Sequence, residues 1–255
     1  MSNYYKQRCE LAAAFRWTAR LNMHESVVNH FSLSVNNDAT KYLVNPGGLH
    51  FSLIKASDLT LIDTNKLEES TIHLPEDKKP LPIALDVHSF IHQYINDANC
   101  ILHVHSKYAT IVSTLKNNSN NSKSSEYLPP IDQNTMRFYN RIAISDQFNG
   151  ITKGDEAIRI AKMIDDKKIL LLCNHGVIII GSSVAKAFDN LYYFEKACET
   201  YVTALTTGKE LEIASHEVAE KTAKQFENYQ PSNIADLHFQ SLIAILDKED
   251  PDYKE

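Results

Sequence analysis

The sequence predicts a mixed α/β fold in which a mostly antiparallel or mixed sheet is covered by helices. Three observations carry that expectation. Short strand-like runs and longer helix-like runs are interleaved without the strict alternation that builds a parallel sheet. Phe31–Val35 and Lys41–Val44 flank Asn36-Asn37-Asp38, a turn signal that pairs neighbouring strands antiparallel. Ile169–Cys173 and Val177–Gly181 are continuous apolar runs, joined through Asn174-His175-Gly176, and read as two buried strands.

Taken in order, Leu11, Ala12, Phe15 and Leu21 recur at helical spacing, so residues 4–22 read as a helix. Asn45-Pro46-Gly47-Gly48 reads as a tight turn, because proline presets φ and glycine accepts positive φ. Ala56-Ser57-Asp58 reads as a turn or a one-turn helix and Leu59–Asp63 as a strand. Residues 64–83 are polar, contain Pro75, Pro80 and Pro82, and read as a loop. A helix over Asp86–Asp97, a strand over Cys100–Val104 and a helix over Lys107–Leu115 follow. The Asn/Ser-rich stretch Lys116–Glu126 is too polar to bury and reads as a surface loop. Asn140–Ile144 reads as a strand and Gly154–Asp166 as an amphipathic helix. Ser183 can cap a long helix that Gly208 ends, and residues 216–228 and 235–247 give two more. Lys248–Glu255 reads as a charged tail. The expected organisation is one domain over residues 1–255, with a helical extension from about residue 209.

Composition excludes some functions. The formal net charge is −6, and Lys107, Lys116 and Lys123 are scattered rather than striped, so nucleic acid is not an expected partner. No apolar run approaches the roughly 20 residues of a membrane span. The N-terminal Met1–Lys6 lacks the pattern of a signal peptide, which makes a cytoplasmic, reducing location the expectation. Cys9, Cys100, Cys173 and Cys198 are widely spaced and read as reduced, core-type residues.

The chemistry concentrates at Ile101–Ser106. Alternation along a strand points His103 and His105 to one side and Leu102 and Val104 to the other. Two imidazoles on one face, with His175 on a turn between buried strands, outline a three-ligand divalent metal site of the kind that zinc occupies. A rival pair, His88 and His92, stands one helical turn apart. It lacks the glutamate of a metalloprotease helix, since Ser89 stands there. The plainer expectation for that pair is one ring against the sheet and one in solvent. His30 precedes an apolar strand and is placed to line the same cleft as the metal pair.

Several motifs resemble the class II aldolase/adducin family, closest to its bacterial adducin-type branch. They are Asn29-His-Phe-Ser32, Asn45-Pro-Gly-Gly-Leu49 with Ala56-Ser-Asp58, Val87-His-Ser-Phe-Ile-His92 and His103-Val-His105-Ser106. Arg137–Ala143, Phe148-Asn-Gly-Ile151, Asn174-His-Gly176 and Glu217–Phe226 continue the match, which runs from about residue 7 to 247. The resemblance implies a three-layer α/β/α fold around a central, mainly antiparallel sheet. It implies a divalent metal, usually zinc, on His103, His105 and His175, a small-molecule substrate, and a homotetramer. It places substrate binding at the turn of Asn45, Gly47 and Gly48. In the sugar-phosphate aldolases of the family, the metal stabilises the enediolate left by C–C cleavage.

The departures narrow the function. The family's acid/base glutamate falls on Ala84, and the phosphate-holding serines fall on Pro82 and Ile83. Asp86, two residues on, lies about 200° round a helix and faces away. His30 replaces an asparagine that binds phosphate, and Gly47 replaces a hydroxyl residue. The expectation is therefore a metal-dependent aldolase-type lyase acting on a small hydroxy-carbonyl compound other than a sugar phosphate. His30, His88 or Tyr139 would serve as acid/base. The alternative is a non-catalytic assembly or binding protein, like the adducin head, that keeps the metal site.

Overall fold

The computed structural model describes residues 3–116, 124–145, 147, 150, 155–228 and 233–255. The helices are α1 (Tyr5–Arg20), α2 (Leu67–Ile72), α3 (Pro82–Tyr94), α4 (Lys107–Ser113), α5 (Ser124–Tyr127), α6 (Gln133–Arg137), α7 (Asp155–Ile164), α8 (Val184–Thr206), α9 (His216–Glu227) and α10 (Ile234–Glu249). The strands are β1 (His30–Ser34), β2 (Lys41–Val44), β3 (Thr60–Asp63), β4 (Cys100–Val104), β5 (Ile142–Ile144), β6 (Ile169–Leu172) and β7 (Gly176–Gly181). They form one seven-stranded sheet in the order β3-β2-β1-β4-β7-β6-β5. Every pairing is antiparallel except β5 with β6. The expected α/β class and mainly antiparallel sheet are present.

Two packed layers enclose the sheet. On one face, Leu102, Val104, Val177 and Ile179 pack against Leu11 and Phe15 of α1 and Phe188 and Leu191 of α8. On the other, Ile101, Leu170, Ile178 and Ile180 pack against Val87 and Ile91 of α3 and Ala157, Ala161 and Ile164 of α7. The alternation of Ile101, His103 against Leu102, Val104 thus places His103 on the α3/α7 side.

Three readings of the sequence are corrected. Residues 64–83 contain α2, whose first turn carries Glu68 and Glu69, favourable at a helix N-terminus. They also contain the start of α3, four residues earlier than expected. Pro82 sits in its first turn, where a missing N–H costs nothing. The charged tail is docked: Tyr253 is buried, and Asp250 and Asp252 accept hydrogen bonds from the buried Arg16 guanidinium at 3.0 and 3.3 Å. Phe239, Leu246 and Tyr253 share the core of α1 and α8, so α10 and the residues after it are packed onto the main body. Residues 117–123 of the Asn/Ser-rich stretch, Phe148, Asn149, Ile151 and Gly154 lie outside the described residues.

Candidate metal centre and cavity

Register assembles the site. Strand β1 pairs with β4 so that His30 lies opposite His103 and Ser32 opposite Ile101, all on the face covered by α3 and α7. His175 sits on the hairpin between β6 and β7, whose turn places Asn174 at φ 54°. Gly176 then passes so close to β4 that a Cβ there would lie 2.5 Å from the Val104 carbonyl oxygen. This approach brings the His175 ring within 5.0 Å of the His103 ring and 4.6 Å of the His105 ring, measured between centroids. One donor atom from each histidine lies within 4.8 Å of the other two.

The tautomers of the strand histidines follow from their partners. His103 Nδ1 donates to the Val177 carbonyl at 3.1 Å, and His105 Nδ1 donates to the Glu25 carboxylate at 2.6 Å. The Nε2 atoms of the two rings turn toward each other and stand 3.1 Å apart. Facing lone pairs repel unless a proton or cation lies between them. Burial, reinforced by the neighbouring imidazoles, holds His103 well below the usual histidine range, and burial pushes His175 down to about 4. Three imidazoles with convergent donor atoms fit a divalent ion, for which metal–nitrogen distances are roughly 2.0–2.1 Å.

Asn29 builds the support of this cluster. Its buried side-chain oxygen accepts the Glu25 N–H at 2.7 Å and the His105 N–H at 3.4 Å, tying the carboxylate to the imidazole that it orients. Glu195 of α8 accepts from Ser106 Oγ at 2.6 Å and from the Tyr108 and Ala109 N–H groups at 2.8 and 3.0 Å. It thereby anchors the chain immediately after His105.

A cavity of about 280 Å³ opens beside the cluster, lined by His30, His103, His105, His175 and Cys173 and by apolar Val28, Leu81, Ile83, Val87 and Ile160. Its charged lining residues, Glu156 and Arg159, are paired to each other, with Nε to carboxylate at 2.7 Å. Inward from His30 runs a chain of buried polar atoms. His30 Nδ1 meets His88 Nε2 at 2.7 Å, Ser32 Oγ lies 2.5 Å from His88 Nδ1 and 2.7 Å from His92 Nε2, and His92 Nδ1 lies 2.7 Å from the Ala98 carbonyl. Burial pushes His30 down to about 3 and His92 to about 4.

The model of the family described as class II aldolase and adducin N-terminal domain matches residues 9–202. The chain belongs to the class II aldolase/adducin family. It is 28% identical to a putative aldolase class 2 protein of Caulobacter vibrioides, over 98% of this chain and 92% of that one. It is likewise 28% identical to the decarboxylase NovR of Streptomyces niveus, over 89% of this chain and 82% of that one. The crystal structure of an aldolase II superfamily protein from Pseudomonas syringae superposes with a TM-score of 0.86 at 28% identity, covering 100% of this chain and 98% of that one.

Within this class II aldolase-type fold, the residues expected at the site divide into three groups. His103, His105, His175 and His30 share the cavity, and His88 stands directly behind His30. Asn45, Gly47 and Gly48 do not line it. The Asn45 amide accepts the Phe31 N–H at 3.1 Å and donates to the Asn29 carbonyl at 3.3 Å, bracing the strand that carries His30. Gly47 packs against Leu81, which would lie 2.7 Å from an added Cβ, and Gly48 has φ 81° with open space beside it. Tyr139 is also elsewhere in this chain, its hydroxyl 3.0 Å from His216 Nδ1 at the foot of α9. Cys173 is half-buried at the cavity wall, unlike the enclosed Cys100 and Cys198.

The expectation that one of His88 and His92 meets solvent is overturned, because both are buried against Ser32. Ala84 is buried in α3 and is not among the residues that line the cavity. Sequence reasoning missed Glu25, Ser32 and Glu195 as site residues. Ser32 carried a signal, since it lies two positions after His30 on a strand and therefore on the same face. Glu25 and Glu195 carried none, because only the tertiary fold brings them to His105 and Ser106.

Proposed function

We propose that this chain is a divalent-metal-dependent lyase of class II aldolase type, acting on a small hydroxy-carbonyl substrate without a phosphate group. The observation that carries this reading is the convergence of the His103, His105 and His175 donor atoms, with the Nε2 atoms of the first two 3.1 Å apart. These three residues would hold the ion, and zinc suits an all-imidazole donor set, as do several other divalent metals. When bound, such an ion supplies Lewis-acid stabilisation of the negative charge left on a carbonyl oxygen by C–C cleavage. Aldol cleavage and decarboxylation both leave that charge, which accords with a relative named as a decarboxylase.

The chain's own groups define the rest. Apolar Val28, Leu81, Ile83 and Ile160 exclude water from the substrate body. His30, on the cavity wall, stands where it can exchange a proton with a bound hydroxyl, in place of the carboxylate that Ala84 does not provide. A phosphate would have to compete with the Glu156 carboxylate for Arg159, the cation of the described lining. A homotetramer and a cytoplasmic location complete the reading.

Metal analysis of the purified protein tests it. About one divalent ion per chain is expected, and the His103→Ala/His105→Ala double variant should lose it. Equal metal content in both proteins defeats the proposal. L-Fuculose 1-phosphate is expected to be turned over poorly if at all, and its efficient cleavage would refute the unphosphorylated substrate.

A further inference from the structure

The chain of buried polar atoms behind His30 has one end whose direction chemistry fixes. A carbonyl oxygen can only accept, so His92 Nδ1 carries a hydrogen and donates it to Ala98 across 2.7 Å. Each ring in the chain is enclosed, and among the described residues no carboxylate hydrogen-bonds to His30, His88 or His92. A charged imidazolium there would lie unpaired in apolar surroundings, so each ring carries a single hydrogen.

The rest follows link by link. His92 Nε2 holds a lone pair and takes the one hydrogen of the Ser32 hydroxyl, 2.7 Å away. Ser32 Oγ then offers only a lone pair to His88 Nδ1, which must donate. His88 Nε2 is left as an acceptor, and His30 Nδ1 donates to it across 2.7 Å. His30 Nε2, on a ring that lines the cavity, is left without a hydrogen.

We propose that Ser32, His88 and His92 are positioning residues that transmit the direction of the Ala98 carbonyl to the cavity. They lock His30 as its Nδ1–H tautomer, so that an Nε2 lone pair rather than an N–H faces the substrate. The consequence for catalysis rests on reading the cavity as an active site: the locked ring accepts a hydrogen bond from a substrate hydroxyl and cannot offer one. The tautomer itself does not depend on that reading. Three groups are needed because a lone buried histidine next to His103 could present either nitrogen.

Long-range proton–nitrogen NMR on the full, nitrogen-15-labelled chain supplied with zinc, a diamagnetic ion, tests the relay. Signals are assigned by single histidine variants. His30, His88 and His92 are each expected as the Nδ1–H tautomer. Ser32→Ala removes the acceptor of His88 Nδ1, and His92→Phe frees the Ser32 hydroxyl to turn toward His88. Either change should raise the Nε2–H population of His30 from a minor species to a substantial one. Finding wild-type His30 as Nε2–H or as imidazolium overturns the proposal. So does an unchanged Nδ1–H signal in both variants. The wild-type spectrum decides the matter even if a variant fails to fold. Turnover is not part of the readout, so failure of the relay and failure of the lyase assignment are separate results.

Discussion

Acidification from pH 7 to pH 5 is expected to remove about 4 kcal/mol of unfolding free energy through His30 and His92 alone. Burial pushes these rings from the ordinary value of 6.5 down to about 3 and about 4. Their folded values lie below their unfolded ones, so at pH 5 the unfolded chain binds protons that the folded chain refuses. Stability is therefore fully present above about pH 6.5 and falls as pH drops toward the folded values. At pH 5 each unfolded ring lies about 1.5 units above the solution pH, and at 1.36 kcal/mol per unit this gives about 2 kcal/mol per histidine. The buried His88 is shifted the same way and adds to the loss. Set against a typical total of about 5–15 kcal/mol, that is between about a quarter and four fifths of the stability. Urea unfolding between pH 5 and pH 8, at fixed protein and metal concentrations, gives the measurement. The single tryptophan, Trp17, serves as probe because its indole N–H is bonded to the Leu242 carbonyl and so reports α1 docked on α10. His92→Phe lacks one titrating ring and should lose about 2 kcal/mol less over the same interval. A wild-type change below about 1 kcal/mol would refute the idea that these histidines are held neutral by burial.

Three further outcomes are expected. Glu25→Gln keeps the size of the side chain but removes the charge that orients His105, so divalent metal affinity should fall by about 10–100-fold, read by competition with a chromogenic chelator. Gly176→Ala forces a methyl group onto the Val104 carbonyl, where backbone must move. Destabilisation by about 1–3 kcal/mol in denaturant titration is expected, with weakened metal binding because His175 is the adjacent residue. Glu195→Ala strips the acceptor from Ser106, Tyr108 and Ala109 and should cost about 2–4 kcal/mol. Unchanged stability in that variant would mean that α4 is held without this carboxylate.

Much of the fold was legible because its signals are local. Continuous apolar runs gave β6 and β7, Ser183 and Gly208 bounded α8, and Asn36-Asn37-Asp38 marked the hairpin between β1 and β2. The short helices α2, α5 and α6 were not legible, since four to six residues are too few to establish a helical period. The docking of the last residues was hidden for another reason. Asp250 and Asp252 look like solvated charges until Arg16, far away in sequence, is brought beside them.

The candidate site divides along the same line. By itself the sequence determined that His103 and His105 share a face, because strand alternation is a property of the backbone, and it marked His175 by its place on a tight turn between buried strands. Only the tertiary structure decided that these three donors converge, because that depends on β7 lying against β4 with Gly176 pressed to Val104. It also decided the part played by His88 and His92. Helical spacing put the two rings on one side of α3, but only the packing of α3 onto β1 set Ser32 between them, and so joined a pair of apparently idle histidines to the wall of the cavity.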